Sequence, residues 1–180
     1  MEDNKLKKTL IALFITIVVL FILNRVLDDY KLRILNLCGI YITLGLSMNL
    51  INGLTGLFSL GHAGFMAIGA YTVAILTMPV GMKEMNFFMK PIVPFLANVE
   101  WHFLPALIMA GIISGLFGFL IGAPVLRLTD DYLAIATLGF AEIIRVVFTN
   151  TQSLTNGALG LKGIPNKTNI RWSWGIAILT

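Results

Sequence analysis

Charge is what this sequence has least of. Of its 180 residues only 12% are Asp, Glu, Lys or Arg, while 57% are hydrophobic, and the mean hydropathy is +0.87. A water-soluble domain carries about twice that share of charge. Most of the apolar excess is gathered in long runs, so the solvent for this fold is lipid. Cysteine is nearly absent as well. Cys38 stands alone within an apolar run, which excludes an intrachain disulfide and a thiolate–metal cluster. The net charge of +4 is spread along the connections. No dense Lys/Arg block points to nucleic acid, and a basic excess suits a membrane protein among anionic lipids.

Enzyme signatures are missing too. The stretch GALGLKG (157–163) holds glycines and a lysine in the wrong order for a phosphate loop. There is no G-x-S-x-G elbow and no H-E-x-x-H pair. His62 and His102 flank an apolar run, which makes them poor partners for one metal. Ser59 and His62 lie three residues apart but have no evident third group for hydrolysis.

What is present is a series of apolar runs. A spanning helix needs about 20 mostly apolar residues. Thr9 to Asn24 is the first candidate, with Lys8 and Arg25 placed to reach the interfaces. Its basic start also fits a signal peptide, but Asn24, Arg25 and two aspartates follow where a cleavage site needs small residues, so a retained helix is expected. Ile34 to Ile51 is the second run and Phe65 to Val80 the third. Residues 81–102, with Lys83, Pro91, Pro94 and Trp101, read as a loop with a short interfacial helix. Phe103 to Leu126 is the longest run, and YLAIATLGFAEIIRVVF forms a fifth. The chain then passes through polar residues 149–173 and enters a sixth run that is too short to cross before Thr180. The expected fold is all-α: a polytopic membrane protein with about five complete spans and the start of a sixth. Residues 1–180 read as one transmembrane domain, cut within its last helix.

Two features exceed anchoring. Gly111, Gly115, Gly118 and Gly122 recur at helical spacing and form one stripe, which predicts a close helix–helix contact. The lead-in NGLTGLFSLGHAG is too rich in glycine and polar groups for a lipid-facing helix. It must be buried in protein or line water. Within it, His62 reads either as a structural group at a helix start or as part of a pathway. Glu142 and Arg145 are three apart on one helix and can pair. At mid-bilayer each costs on the order of 2.5–3.5 kcal/mol, so they are expected to face protein or water. Asp130 or Asp131 suits the start of that helix as a cap.

Orientation by charge is contradictory. With the amino terminus inside, Lys5, Lys7, Lys8 and Arg127 fall inside. Arg25, Lys31, Arg33, Lys83, Lys90, Lys162, Lys167 and Arg171 then fall outside, against the positive-inside rule.

Three stretches carry a resemblance: NLINGLTGLFSLGHAGFMAIGAYTVAIL, GAPVLRLTDDYLAIATLGFAEIIRVVFTN and LTNGALGLKGIP. In order and spacing they resemble the permease subunits of bacterial branched-chain amino-acid ABC importers. DYLAIATLGFAEIIR and the closing Gly163-Ile164-Pro165 mark the LivM type rather than its LivH-type sister. The resemblance implies a multi-pass subunit of the bacterial cytoplasmic (inner) membrane that forms a pathway for leucine, isoleucine or valine with a LivH-type permease. It implies two ATP-binding subunits, a periplasmic or lipid-anchored binding protein, and residues 149–173 facing outward. No cofactor is expected on this chain; ATP and Mg belong to the partner ATPases. Family permeases continue into a Glu-Ala-Ala type docking loop, which these residues lack.

Ser59, Gly61, His62, Gly64 and Glu142 are the substrate-pathway candidates. Helix N-termini or peptide N–H groups in the first four would receive the substrate carboxylate. Permeases for urea, short amides or other amino acids share a similar pattern. A secondary transporter, a channel or a non-transporting membrane subunit is the alternative from another class.

Overall fold

The computed structural model describes residues 2–128, 130–165 and 168–180, and every regular element among them is helical. By internal contacts the chain divides into two units. One is the chain up to Leu50 together with Thr168–Thr180; the other is Ile51–Lys167.

The first unit holds α1 (Glu2–Val26), α2 (Asp29–Asn49) and α9 (Ile170–Leu179). Helix α9 docks on α2 through polar groups set in apolar surroundings. The Ser173 hydroxyl donates to Asn36 Oδ1 at 2.8 Å, and the Trp174 indole N–H donates to the Leu35 carbonyl at 3.1 Å. Gly39 makes room for that indole, since a Cβ there would lie 3.3 Å from the ring. In lipid a buried polar atom has no water to turn to, so such pairs fix one register of two otherwise greasy helices.

The second unit is built on α3 (His62–Thr77), which packs against both α6 (Phe103–Val125) and α7 (Asp130–Asn150). Helix α3 differs from the expected Phe65–Val80 at both ends. It stops at Thr77 because Met78 precedes Pro79, and the ring of a proline drives the preceding residue extended; Met78 has ψ 130°. It starts three residues early because the polar lead-in is already folded by then. At 16 residues α3 is about 24 Å long, short of the hydrocarbon thickness.

Upstream, the helix that begins at Asp29 ends in a π-helical turn, Leu50–Leu54. Gly56, at φ +70°, then releases the chain into irregular backbone that runs to Leu60. Among the described residues three helical stretches are long and apolar enough to cross a bilayer: Asp29–Leu54, Phe103–Val125 and Tyr132–Asn150. Ile15–Val26 and His62–Thr77 are apolar but shorter. Helix α7 starts at Asp130, where a cap was expected; the side chains of Asp130 and Asp131 lie outside the described residues.

The connections of this unit form a compact cap. Ile75, Phe87 and Ile92 make its apolar centre, with Leu96, Ala97 and Leu161 packed around it. Two short helices, α4 (Val80–Asn86) and α5 (Pro94–Ala97), carry it. A third, α8 (Gln152–Thr155), ends at Asn156, whose φ of 61° is left-handed. Asn and Gly are the residues that tolerate that conformation, and Asn156 holds it by donating Nδ2–H to the Gly160 carbonyl at 2.8 Å. Gly157 is left-handed as well, and a Cβ on it would sit 3.0 Å from the Thr149 carbonyl oxygen.

Candidate functional site

The glycine-rich lead-in has few free peptide donors. The N–H of Ser59 donates to Asn52 Oδ1 at 3.2 Å, and the N–H of Leu60 to Thr137 Oγ1 at 3.0 Å. The N–H of Gly61 donates to Ser59 Oγ at 3.4 Å, and that of Leu57 to Thr55 Oγ1 at 3.3 Å. Side-chain oxygens thus do what a helix ladder would otherwise do, which is how irregular backbone survives away from water. Thr137 serves two partners: its hydroxyl accepts from Leu60 and donates to the Ala134 carbonyl at 3.0 Å.

Gly61 and Gly64 are both buried, and they face α7. A Cβ on Gly61 would lie 3.4 Å from the Thr137 Cβ. On Gly64 it would lie 2.8 Å from Ile144 Cδ1 and 3.2 Å from the Ala141 Cα. Two residues of the predicted pathway, Gly61 and Gly64, therefore lie at one seam between α3 and α7, with Ser59 and His62 next to them in the chain. Ser59 and His62 are half-buried. The peptide N–H groups of Ser59 and Gly61, expected to receive a carboxylate, are spent on Asn52 and on the Ser59 hydroxyl. Further along the same seam Tyr71 meets Phe148 edge to face at 4.9 Å between ring centroids.

Glu142, the fifth candidate, is on α7 but away from this seam. Arg145 Nη1 donates to Glu142 Oε1 at 2.8 Å, and the two side chains are 73% and 58% exposed, respectively. The pairing expected from their spacing is made.

The glycine stripe of α6 makes no close contact among the described residues. Nothing lies within 4 Å of a Cβ built on Gly111, Gly115 or Gly122, and Gly118 only reaches Phe65 at 4.0 Å. Helix α6 meets α3 on a different face. Ala106 and Ala110 are buried there, and the Ser114 hydroxyl donates to the Phe65 carbonyl at 3.3 Å. Between α3, α6 and α7 an apolar groove of 530 Å³ remains, lined by residues such as Ile68, Phe117, Ile144 and Phe148.

Several polar residues that organise this unit carry no sequence motif. Lys83 is 1% exposed, and its ammonium donates to the Leu96 carbonyl at 2.8 Å and to the Val99 carbonyl. Burial lowers its pKa from the ordinary 10.5, while Glu100 nearby raises it. Asn86 uses its amide as a peptide mimic. Nδ2–H donates to the carbonyls of Met82 and Lys162 at 2.8 and 2.9 Å, and Oδ1 accepts the Lys162 N–H at 2.8 Å. A polar residue in a predicted interfacial helix was the one available signal, and it does not name a partner.

Comparison with known proteins places this arrangement in a transport context. Residues 30–171 match the family model described as branched-chain amino acid transport system / permease component. Over 129 residues, 72% of this chain, it is 45% identical to the high-affinity branched-chain amino acid transport system permease protein LivM of Salmonella typhimurium (strain LT2). Over 135 residues, 75% of this chain, it is 44% identical to the protein of that name from Escherichia coli (strain K12). The chain spans 26% and 27% of the length of these relatives. No solved structure matches it.

Proposed function

This chain belongs to the branched-chain amino acid transport permease family, and from that premise we propose that it is a pathway-forming subunit of an ATP-driven importer of leucine, isoleucine and valine. The family match over residues 30–171 carries this reading, because it includes the whole α3–α7 seam and both helices of the α6–α7 pair. A multi-pass helical membrane chain without a phosphate loop fits a subunit that draws its energy from other chains. Those partners would be a LivH-type permease, two ATP-binding subunits and a binding protein delivering substrate at the inner membrane.

Transport would proceed by alternating access, with ATP-driven closure of the ATPases changing which side the pathway opens to. The seam built from Gly61, Gly64, Thr137 and Ala141 is suited to move as one body with α7, since its irregular backbone is satisfied internally. Uptake of labelled leucine into proteoliposomes containing the native complex is the test. ATP-dependent uptake that competes with isoleucine and valine is the expected result. Uptake that persists without the ATP-binding subunits would sink the importer reading.

A further inference from the structure

Glu142 and Arg145 pose a problem that the α3–α7 seam does not solve. Glu142 lies ten residues after Tyr132 and eight before Asn150, the ends of the apolar stretch. At 1.5 Å per residue it is about 12–15 Å from either end, near the middle of the bilayer. One side of α7 is packed: Leu133, Thr137, Ala141, Ile144 and Phe148 are buried or half-buried there, the middle three against the lead-in and the start of α3. The other side carries Ile135, Leu138, Gly139, Glu142, Arg145, Val146 and Thr149, all exposed. An ion pair on the open side at this depth is stable only where that side meets water or a partner of matching charge.

We infer that this pair receives the charged head group of an amino acid, with Arg145 taking the carboxylate and Glu142 the ammonium; the inference rests on the permease reading above. Charge complementarity carries it. A zwitterionic amino acid presents one group of each sign on a single carbon, and Glu142 and Arg145 present the opposite two, one helical turn apart. The pair is joined through one nitrogen and one oxygen, at 2.8 Å. A guanidinium has five N–H donors and a carboxylate two acceptor oxygens, so both keep capacity for a ligand. Closed on each other, the two charges neutralise the site when it is empty; opened, each exchanges its partner for one of the same sign.

The alternative binding groups are already committed. Ser59, Leu60 and Gly61 direct their N–H groups at side chains of this chain. An apolar wall stands beside the pair as well: Leu138 precedes Glu142 by one turn and Val146 follows it by one turn, both exposed. A branched alkyl chain would lie along it while the head group is held. Glutamine removes the charge at either position, and at Glu142 it also keeps the shape.

The test uses the native complex in detergent, with labelled leucine and two analogues. 3-Methylbutylamine is leucine without its carboxylate, and 4-methylpentanoate is leucine without its ammonium. Arg145→Gln is expected to weaken leucine binding roughly 10- to 100-fold and to leave competition by 3-methylbutylamine unchanged. Glu142→Gln is expected to weaken leucine similarly and to spare 4-methylpentanoate. The charge-swapped double variant, Glu142→Arg with Arg145→Glu, keeps an ion pair and controls for assembly, followed by size exclusion. Restored assembly without restored leucine binding supports the inference, because the two head-group sites are then exchanged relative to the apolar wall. Wild-type leucine binding in both single variants overturns it, and so does a swap that restores assembly and binding together, since the pair is then structural. ATP-dependent uptake by the wild-type complex is measured alongside. If uptake is present and any overturning result is found, only this inference falls. If uptake is absent, or the wild-type complex does not bind leucine, the permease reading or this site, respectively, is refuted directly.

Discussion

Two sets of glycines in this chain have opposite surroundings. Gly61 and Gly64 are closed over by α7, close enough that even one added carbon on Gly64 meets Ile144 and the Ala141 backbone. Gly111, Gly115 and Gly122 have the helical spacing expected of a packing stripe, yet they face open space. The contact that α6 does make runs through Ala106, Ala110 and Ser114, roughly 100° further around the helix. Small residues at helical spacing therefore permit close approach without requiring it. What closes the α3 set is the composition of the facing strip, since Thr137, Ala141 and Ile144 offer a hydroxyl, a methyl and a flexible tip at matching heights. The α6 stripe keeps its surface for whatever lies beyond this chain.

Substitutions at the two sets sharpen that contrast, and thermal unfolding of the detergent-solubilised protein reads them. Gly64→Leu is expected to have the largest effect, about 3 kcal/mol of destabilisation, because the Ala141 backbone cannot yield to a branched side chain. Lys83→Met comes next at about 2 kcal/mol, since it takes the ammonium away from the Leu96 and Val99 carbonyls in the cap without touching either glycine set. Thr137→Val keeps the volume at the seam and removes the hydroxyl's two bonds, the one accepted from the Leu60 N–H and the one donated to the Ala134 carbonyl, for about 1 kcal/mol. Gly111→Leu is expected to change the stability of this chain by less than about 0.5 kcal/mol. If Gly111→Leu costs as much as Gly64→Leu, the stripe is filled from within the chain and the contrast is lost.

The pH dependence is the smallest effect. Burial holds the folded-state pKa of Lys83 below 10.5, so in the window between that lowered value and 10.5 the unfolded chain binds more protons than the folded one. Stability is therefore expected to rise slightly as pH climbs through this window and to level off above it. Lys83→Met should abolish that slope in the unfolding curves.

Much of this was written locally and could be read locally. The α6 run, read as Phe103 to Leu126, is a helix over Phe103–Val125, because an uninterrupted apolar run in lipid has no other way to satisfy its backbone. The lead-in was legible as something other than a plain helix, and the Glu142–Arg145 pair followed from spacing alone. Proline chemistry at Met78-Pro79 was equally local, but it was outweighed by the apolar run continuing to Val80. What escaped were pairings over long separations. Leu60 finds Thr137 across 77 positions, Asn86 finds Lys162 across 76, and Ser173 finds Asn36 across 137. An asparagine in a helix announces that it needs a partner, and only the fold supplies the partner's name. The same limit applies to the lead-in: that Ser59 and Gly61 are close in sequence is plain, while Thr137, which takes the Leu60 N–H, lies 77 positions away.

The Asn86 clamp also constrains how the polypeptide is threaded through the bilayer. Its amide holds both the N–H and the carbonyl of Lys162, and nearby the Val93 N–H donates to the Ser153 carbonyl at 3.3 Å. No such bond can reach across about 30 Å of hydrocarbon. Residues 86–93 and 153–162 thus lie at one face of the membrane, and α6 and α7 form a down-and-back hairpin with Arg127 at its opposite tip. Lys83, Lys90 and Lys162 must be counted together, and Arg127 against them, whichever way the first helix points. Any arrangement of this chain that places an odd number of crossings between Asn86 and Lys162 would have to break the clamp.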